Sequence, residues 1–288
     1  MKTKSLLASF ALAIIGINVA TAQINLSERV LGAIQNGVKG FTFSDEDAAN
    51  LSKQAIEKLD KDNLVATASD PYSIRLEKIF GKHKNENGLV LNYKVYLVKE
   101  VNAFATADGS VRVYAGLMDM MDDNELLAVI GHEIGHVANH DSRDAIKAAY
   151  KKQAVLDAVG SQSEKIAVFT DGQLGQLANA MLDSKHSRKQ ESEADDFSYD
   201  FMKRNGYNVN AVASAFTILA KMSAGADANF LDKMMSSHPD PSDRAANAQK
   251  RAEADGLYSL YLKQVPKTAT KPTVKSKKAT KKTTKKKK

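Results

Sequence analysis

The sequence predicts a mostly helical α+β fold in which a small sheet lies beside one central helix. Three observations carry this. Apolar residues recur at helical spacing around residues 123–138, and helical patterns dominate from there to about residue 256. A short stretch between residues 93 and 114 instead alternates as strands do and contains an Asp-Gly turn signal. No internal repeat is present, so the elements belong to one catalytic-sized domain rather than to an array.

Residues 1–22 stand apart from that domain. Lys2 and Lys4 precede an apolar run from Leu6 to Val19, and Ala20-Thr21-Ala22 matches a small-residue cleavage site. The run is too short and too strongly framed to favour a membrane span. The expectation is an export signal, a mature chain from Gln23, and a soluble or peripherally bound periplasmic protein, with secretion as second choice. With zero cysteines in the chain, disulfides, thiolate ligands and cysteine-linked lipid leave the argument.

The elements follow in order. Residues 26 to about 62 read as helical, with Leu51, Ala55, Ile56 and Leu59 on one side of a helix that starts near Ser44. Asp70-Pro71 marks a turn, and Ile74 to Phe80 a further helix. Tyr93 to Val98 alternates, Asn102 to Thr106 is a second strand, and Asp108-Gly109 turns the chain into Val111–Tyr114. Asp122 or Asp123 caps the next helix, with Glu125 in its first turn. Ser187 and Gln190 fit a capping box for a helix through Arg204, closed by Gly206. Asn210 to Met222 and Pro241 to Ala254 complete the set.

The helix opened by Asp122 carries His132-Glu133-Ile134-Gly135-His136. Histidines four apart share a helix face and can hold one tetrahedral Zn²⁺, with places left for a third protein ligand and a water. Glu133 stands beside them, placed to take a proton from that water as it attacks a carbonyl. Leu127, Ile130, Ile134 and Val137 form an apolar stripe that leaves the histidines facing a cleft. Gly135 has no side chain to obstruct an approaching strand or substrate. For the third ligand, Asp157 has about the spacing of thermolysin-like enzymes but stands alone in a helical run. Glu191 and Asp195 are better placed, since they share a helix face while Glu193 points away. One can bind the metal while the other orients a ligating histidine. Ala194 between them keeps the helix surface low for close packing.

The formal charge of +7 misleads. From Lys263 to the end there are 12 lysines and no acidic residue, and the leader has two lysines more. Removing these from the total leaves −7 for residues 23–262, so no specific nucleic-acid-binding fold is indicated. The expected layout is a signal over 1–22, one domain over 23–262, and a disordered lysine-rich tail over 263–288. The tail also has the charge for weak contact with an anionic membrane surface.

Four segments in order resemble the HtpX-like and CAAX-prenyl-protease-like family of zinc metallopeptidases, in particular its soluble periplasmic members. They are Asn102-Ala103-Phe104-Ala105, the histidine motif at 132–136, the Glu-x-x-x-Asp pattern with Ala194 at 191–195, and His238-Pro239 with Arg244 six residues after that histidine. The resemblance implies a zincin-type (gluzincin) domain with one Zn²⁺ per chain, held by His132, His136 and Glu191. It further implies Asp195 and Arg244 as supports behind the ligands, and Asn102 to Ala105 as an edge strand that pairs with peptide. His238 would sit over the site, either stabilising an oxyanion or occupying the open coordination position as a latch. The implied activity is endoproteolysis of misfolded or unassembled envelope proteins. The alternative is an envelope chaperone or assembly factor whose peptidase site is kept shut. Spanning helices and C-terminal helical repeats found in other members have no counterpart after the leader.

Overall fold

A computed structural model describes residues 44–86, 88–160, 170–224, 232–238 and 241–264. Residues 1–22, the part of the first expected helical run before Ser44, Pro239 and the lysine-rich residues beyond Gln264 lie outside the described residues. Helix α1 (Asp45–Asp62) begins at Ser44 through a capping box with Asp47. Helix α2 (Pro71–Phe80) begins at Asp70, with proline at its first position, where the missing N–H costs nothing. A short antiparallel pair, β1 (Asn85–Glu86) and β2 (Leu89–Val90), precedes the main sheet.

That sheet has three strands, β3 (Asn92–Tyr96), β4 (Ala103–Ala105) and β5 (Ser110–Tyr114), in the order β3-β5-β4. The Asp108-Gly109 turn makes β4 and β5 an antiparallel hairpin, with Gly109 at φ +81°. β3 pairs with β5 in parallel and stops at Tyr96, short of the expected Val98. The far side of β3 is met by residues 64–66, where Ala66 N–H donates to Val95 and Leu97 N–H to Leu64. β4 therefore forms the other edge of this sheet.

The strands alternate between two cores. Val95, Ala103, Ala105, Val111 and Val113 face a core shared with most of the later helices. Tyr96, Phe104 and Tyr114 face a second core against α1. After β5 come α3 (Ala115–Met120), α4 (Asp123–Ala138), α5 (Asp141–Gly160) and α6 (Asp171–Leu182). The last group is α7 (Arg188–Arg204), α8 (Asn210–Ser223), α9 (Asp232–Ser237) and α10 (Pro241–Ala254). No described helix is long and apolar enough to cross a membrane.

Helix α4 is the centre of the molecule. Its capping box pairs Asp122 with Glu125, and every residue from Glu125 to Val137 is buried. The expected one-sided stripe is thus an all-round buried helix, because α7 closes the side that Leu127, Ile130, Ile134 and Val137 do not. Gly135 also differs from expectation. A Cβ there would lie 3.0 Å from the Ala194 Cα and 3.0 Å from the Phe197 Cβ, so the space belongs to α7 and not to a strand or substrate. Gly131 does the same against Ser198 and Phe201. Ala194 matches its expected role as the low point of the facing surface.

Candidate metal centre

The α4–α7 packing brings the two motifs together. Nε2 of His132 and Nε2 of His136 are 3.1 Å apart. The Glu191 carboxylate reaches both, at 3.5 Å from His132 and 3.4 Å from His136. His238, at the end of α9, adds its Nδ1 2.8 Å from Glu191 Oε1 and 3.4 Å from His132 Nε2. All four are buried and can place one ligand atom each within 4.8 Å of the others.

The opposite ring nitrogens are held by carboxylates. Nδ1 of His132 lies 2.9 Å from Asp195 Oδ1, and Nδ1 of His136 lies 2.9 Å from Asp141 Oδ2. A carboxylate at Nδ1 favours the tautomer whose Nε2 lone pair is free for a metal, and Arg244 Nη2 also lies 3.0 Å from both ring nitrogens of His132. Glu191 Oε2 is buried and accepts no hydrogen bond, although Arg244 Nη1 stands 2.9 Å away. Two imidazole nitrogens and one carboxylate, whose Oε2 is buried without a hydrogen bond, converge as a ligand set that fits a divalent metal cation.

Arg244 of α10 braces the far side. It donates from Nε and Nη2 to Asp195, at 2.9 and 2.6 Å, and its guanidinium lies 4.0 Å from the Phe216 ring centre. Burial, with Arg244 close by, holds His132 well below the ordinary histidine range. His136 goes the other way. Burial opposes its charge, but the hydrogen bonds to Asp141 and Glu191 push it up to about 9. Burial would raise Glu191, yet the bonds from His136 and His238 hold it well below the usual carboxylate range. Burial pushes Glu133 up, which makes it a stronger base than an exposed carboxylate.

A cleft beside the cluster is lined by Asn102 to Thr106, Glu133, His136, Ser142, His186 and His238. In β4 it is Phe104 that pairs with Arg112 of β5, flanked by hydrogen bonds at Asn102 and Thr106. The alternation of an antiparallel ladder then turns the backbone groups of Ala103 and Ala105 away from β5. Ser142 donates to the Ala105 carbonyl at 3.0 Å.

The structure brings His132, Glu133, His136, Glu191, Asp195, His238 and Arg244 together beside residues 102–105, and leaves Glu193 exposed; the side chain of Asp157 lies outside the described residues. Sequence reasoning missed four. Asp141 orients His136, and Gln190 holds Asp141 from the α7 capping box at 2.7 Å. Ser142 meets the edge strand. His186 stacks on His136, with ring centres 3.8 Å apart and planes 14° apart. A second histidine–carboxylate group, His136 with Asp141 and His186, marks the same place. The available signal was an aspartate one turn past the second histidine, which spacing alone does not distinguish from a helix cap.

The family model for peptidase family M48 matches residues 76–252. The chain is 42% identical to the metalloprotease YcaL of Escherichia coli over 75% of its own length and 84% of that protein. It is 38% identical to the metalloprotease LoiP of the same organism, over 89% of its length and 100% of that protein. A putative beta-barrel assembly-enhancing protease of Vibrio cholerae is 28% identical over 54% of this chain and 33% of its own. Set against a buried cluster of His132, His136 and Glu191 with the Glu133 carboxylate beside it, these matches leave one conclusion: the chain belongs to peptidase family M48 and is a metalloendopeptidase.

Proposed function

We propose that the chain is a zinc-dependent endopeptidase acting in the periplasm on exported envelope proteins that are misfolded or unassembled. The observation that carries this is the convergence of both Nε2 atoms and the Glu191 carboxylate on one point beside Glu133. His132, His136 and Glu191 hold the metal. Zinc held there supplies a Lewis acid for the substrate carbonyl and a more acidic water.

The chain's own residues do the rest. Glu133 takes the water proton and returns it to the leaving nitrogen, a role suited to a buried carboxylate of raised basicity. Asp195 and Asp141 keep the imidazoles oriented, and Arg244 keeps Asp195 in place. Peptide adds as a strand along Asn102 to Ala105, bonding to the outward groups of Ala103. Backbone pairing tolerates many sequences, which suits unfolded substrates. The names of the relatives support the protease and its envelope setting, and the leader-like residues 1–22 support export.

His238 favours a second reading. Its Nδ1 approaches Glu191 at 2.8 Å, within the ligand cluster, a position that suits a latch better than an oxyanion donor. A latched site allows an envelope chaperone whose peptidase is usually shut. Incubation of the zinc-loaded protein with unfolded envelope proteins, with and without a chelator, tests the first reading. Cleavage that the chelator stops is expected. Absence of cleavage, with holding activity retained by Glu133→Gln, would favour the chaperone.

A further inference from the structure

Helix α4 ends at Ala138 and α5 starts at Asp141, so Asn139 and His140 alone make the turn between them. His140 takes φ +65°, and among the described residues no other non-glycine residue enters the left-handed region. This sharp reversal returns the first turn of α5 to the metal cleft. Asp141 Oδ2 lies 2.9 Å from His136 Nδ1, and Gln190 donates to Asp141 Oδ1 at 2.7 Å. The next residue, Ser142, donates from its hydroxyl to the Ala105 carbonyl at 3.0 Å, and both residues are buried. Further along α5, Ile146, Ala149 and Tyr150 pack into the core shared with α1. The backbone of Ser142 is therefore held on both sides, by Asp141 and by that core.

The bond from Ser142 falls on the side of β4 where a peptide would add. The outward backbone groups of the strand belong to Ala103 and Ala105. A paired peptide would run about 4.8 Å away and bring an N–H nitrogen to roughly 2.9 Å from the Ala105 oxygen. The Ser142 hydroxyl already stands there, at 3.0 Å. It is not given up freely, because a buried carbonyl stripped of its donor costs free energy.

We propose that Ser142 is a positioning residue that ends the peptide-binding edge at the Ala105 carbonyl, leaving to the substrate both outward groups of Ala103 and the N–H of Ala105. It rests on the reading of β4 as the strand that peptide joins, and sets a limit to that pairing. Past Ala105 the substrate has to leave the direction of the sheet. The enzyme thus takes chain that is free to bend, over a frame of a few residues, and refuses a strand held straight in a folded sheet.

The test uses the full chain loaded with zinc and a quenched fluorescent peptide spanning a site at which it cuts unfolded β-casein. In a series of copies, one backbone amide at a time, the scissile one excepted, is replaced by an ester, which removes the N–H without adding bulk. In wild type the ester facing Ala105 should leave KM unchanged. In Ser142→Ala the freed carbonyl accepts that N–H. The parent peptide's KM should then fall, and the same ester should raise it again, each by about two- to tenfold, the worth of one neutral hydrogen bond. The change should lie in KM and not in kcat or bound metal. An ester pattern identical in the two proteins would overturn the role of Ser142 and leave strand addition standing. Loss of metal in Ser142→Ala with KM unmoved would make the serine a support of Asp141 only. Esters that change KM in neither protein would sink strand addition along β4, and the proposal with it.

Discussion

At the scale of single residues, two glutamates of the same chemistry stand in the site at different places, and their variants should fail differently. Glu133→Gln keeps the shape of the side chain and removes its basicity. Cleavage should fall by roughly 10²–10⁴-fold, the usual worth of a positioned acid–base group, while bound metal and folding are unchanged. Peptidase assays alongside metal analysis would check this, and near wild-type turnover would assign the water's proton to another group. Glu191→Ala should instead lose the metal itself, because it removes the one carboxylate that meets both Nε2 atoms. Full occupancy there, with loss in Asp157→Ala, would move the third ligand to α5. Arg244 gives a subtler expectation. Arg244→Lys cannot reproduce the two-pronged bond to Asp195, so metal affinity should drop by about 10–100-fold without loss of fold.

At the scale of elements, the centre depends on how closely α4 and α7 approach. Gly131 and Gly135 on one helix meet Ser198, Phe201 and Ala194 on the other. Gly135→Ala would drive a methyl to about van der Waals overlap with the backbone of Ala194, and backbone cannot rotate away. The expected cost is roughly 1–3 kcal/mol of stability. Zinc affinity should fall as well, since Glu191 rides on the helix that is pushed back. Urea unfolding and metal titration of the same variant would show whether the two losses travel together. The helices opened by Ser44, Asp122 and Ser187 were legible in the sequence, because those residues cap them locally, whereas α2 starts at Pro71 and not at the expected Ile74, since Asp70 caps it. The histidine pair was legible from its spacing of four, whereas spacing left the third ligand open between Asp157, Glu191 and Asp195, and only the family resemblance singled out Glu191. The parallel pairing of β3 with β5 was not, since register across a chain reversal leaves no local mark. Nor were Asp141 and His186, which reach the site by the path of loops rather than by periodicity. Gly135 was misassigned for a related reason: a glycine announces a close approach but not what approaches.

At the scale of the whole molecule, the sheet is a partition between two cores, and one charged pair is built into it. Arg112 sits on β5 at 2% exposure, on the face that carries Tyr96, Phe104 and Tyr114. Its guanidinium donates to Asp60 of α1 at 2.8 and 3.0 Å, and Lys94 and the Tyr96 hydroxyl add bonds to the same carboxylate. This cluster ties α1 to the strand that pairs with β4. Asp60→Asn would strand a buried guanidinium, and losing one partner of a buried pair costs roughly 3–5 kcal/mol. The pH dependence follows from the direction of the Asp60 shift. Burial opposes its charge, but the bonds from Arg112 and Lys94 prevail and lower its folded pKa. A carboxyl lowered on folding contributes its stability in full above the unfolded value of about 3.9, and loses it as pH falls through the folded one. The gap between wild type and Asp60→Asn should therefore be widest near neutrality and narrow below about pH 4. Urea midpoints measured for both proteins across that range would test it. A gap that stays constant into acid would mean that Asp60 supports Arg112 by shape rather than by charge.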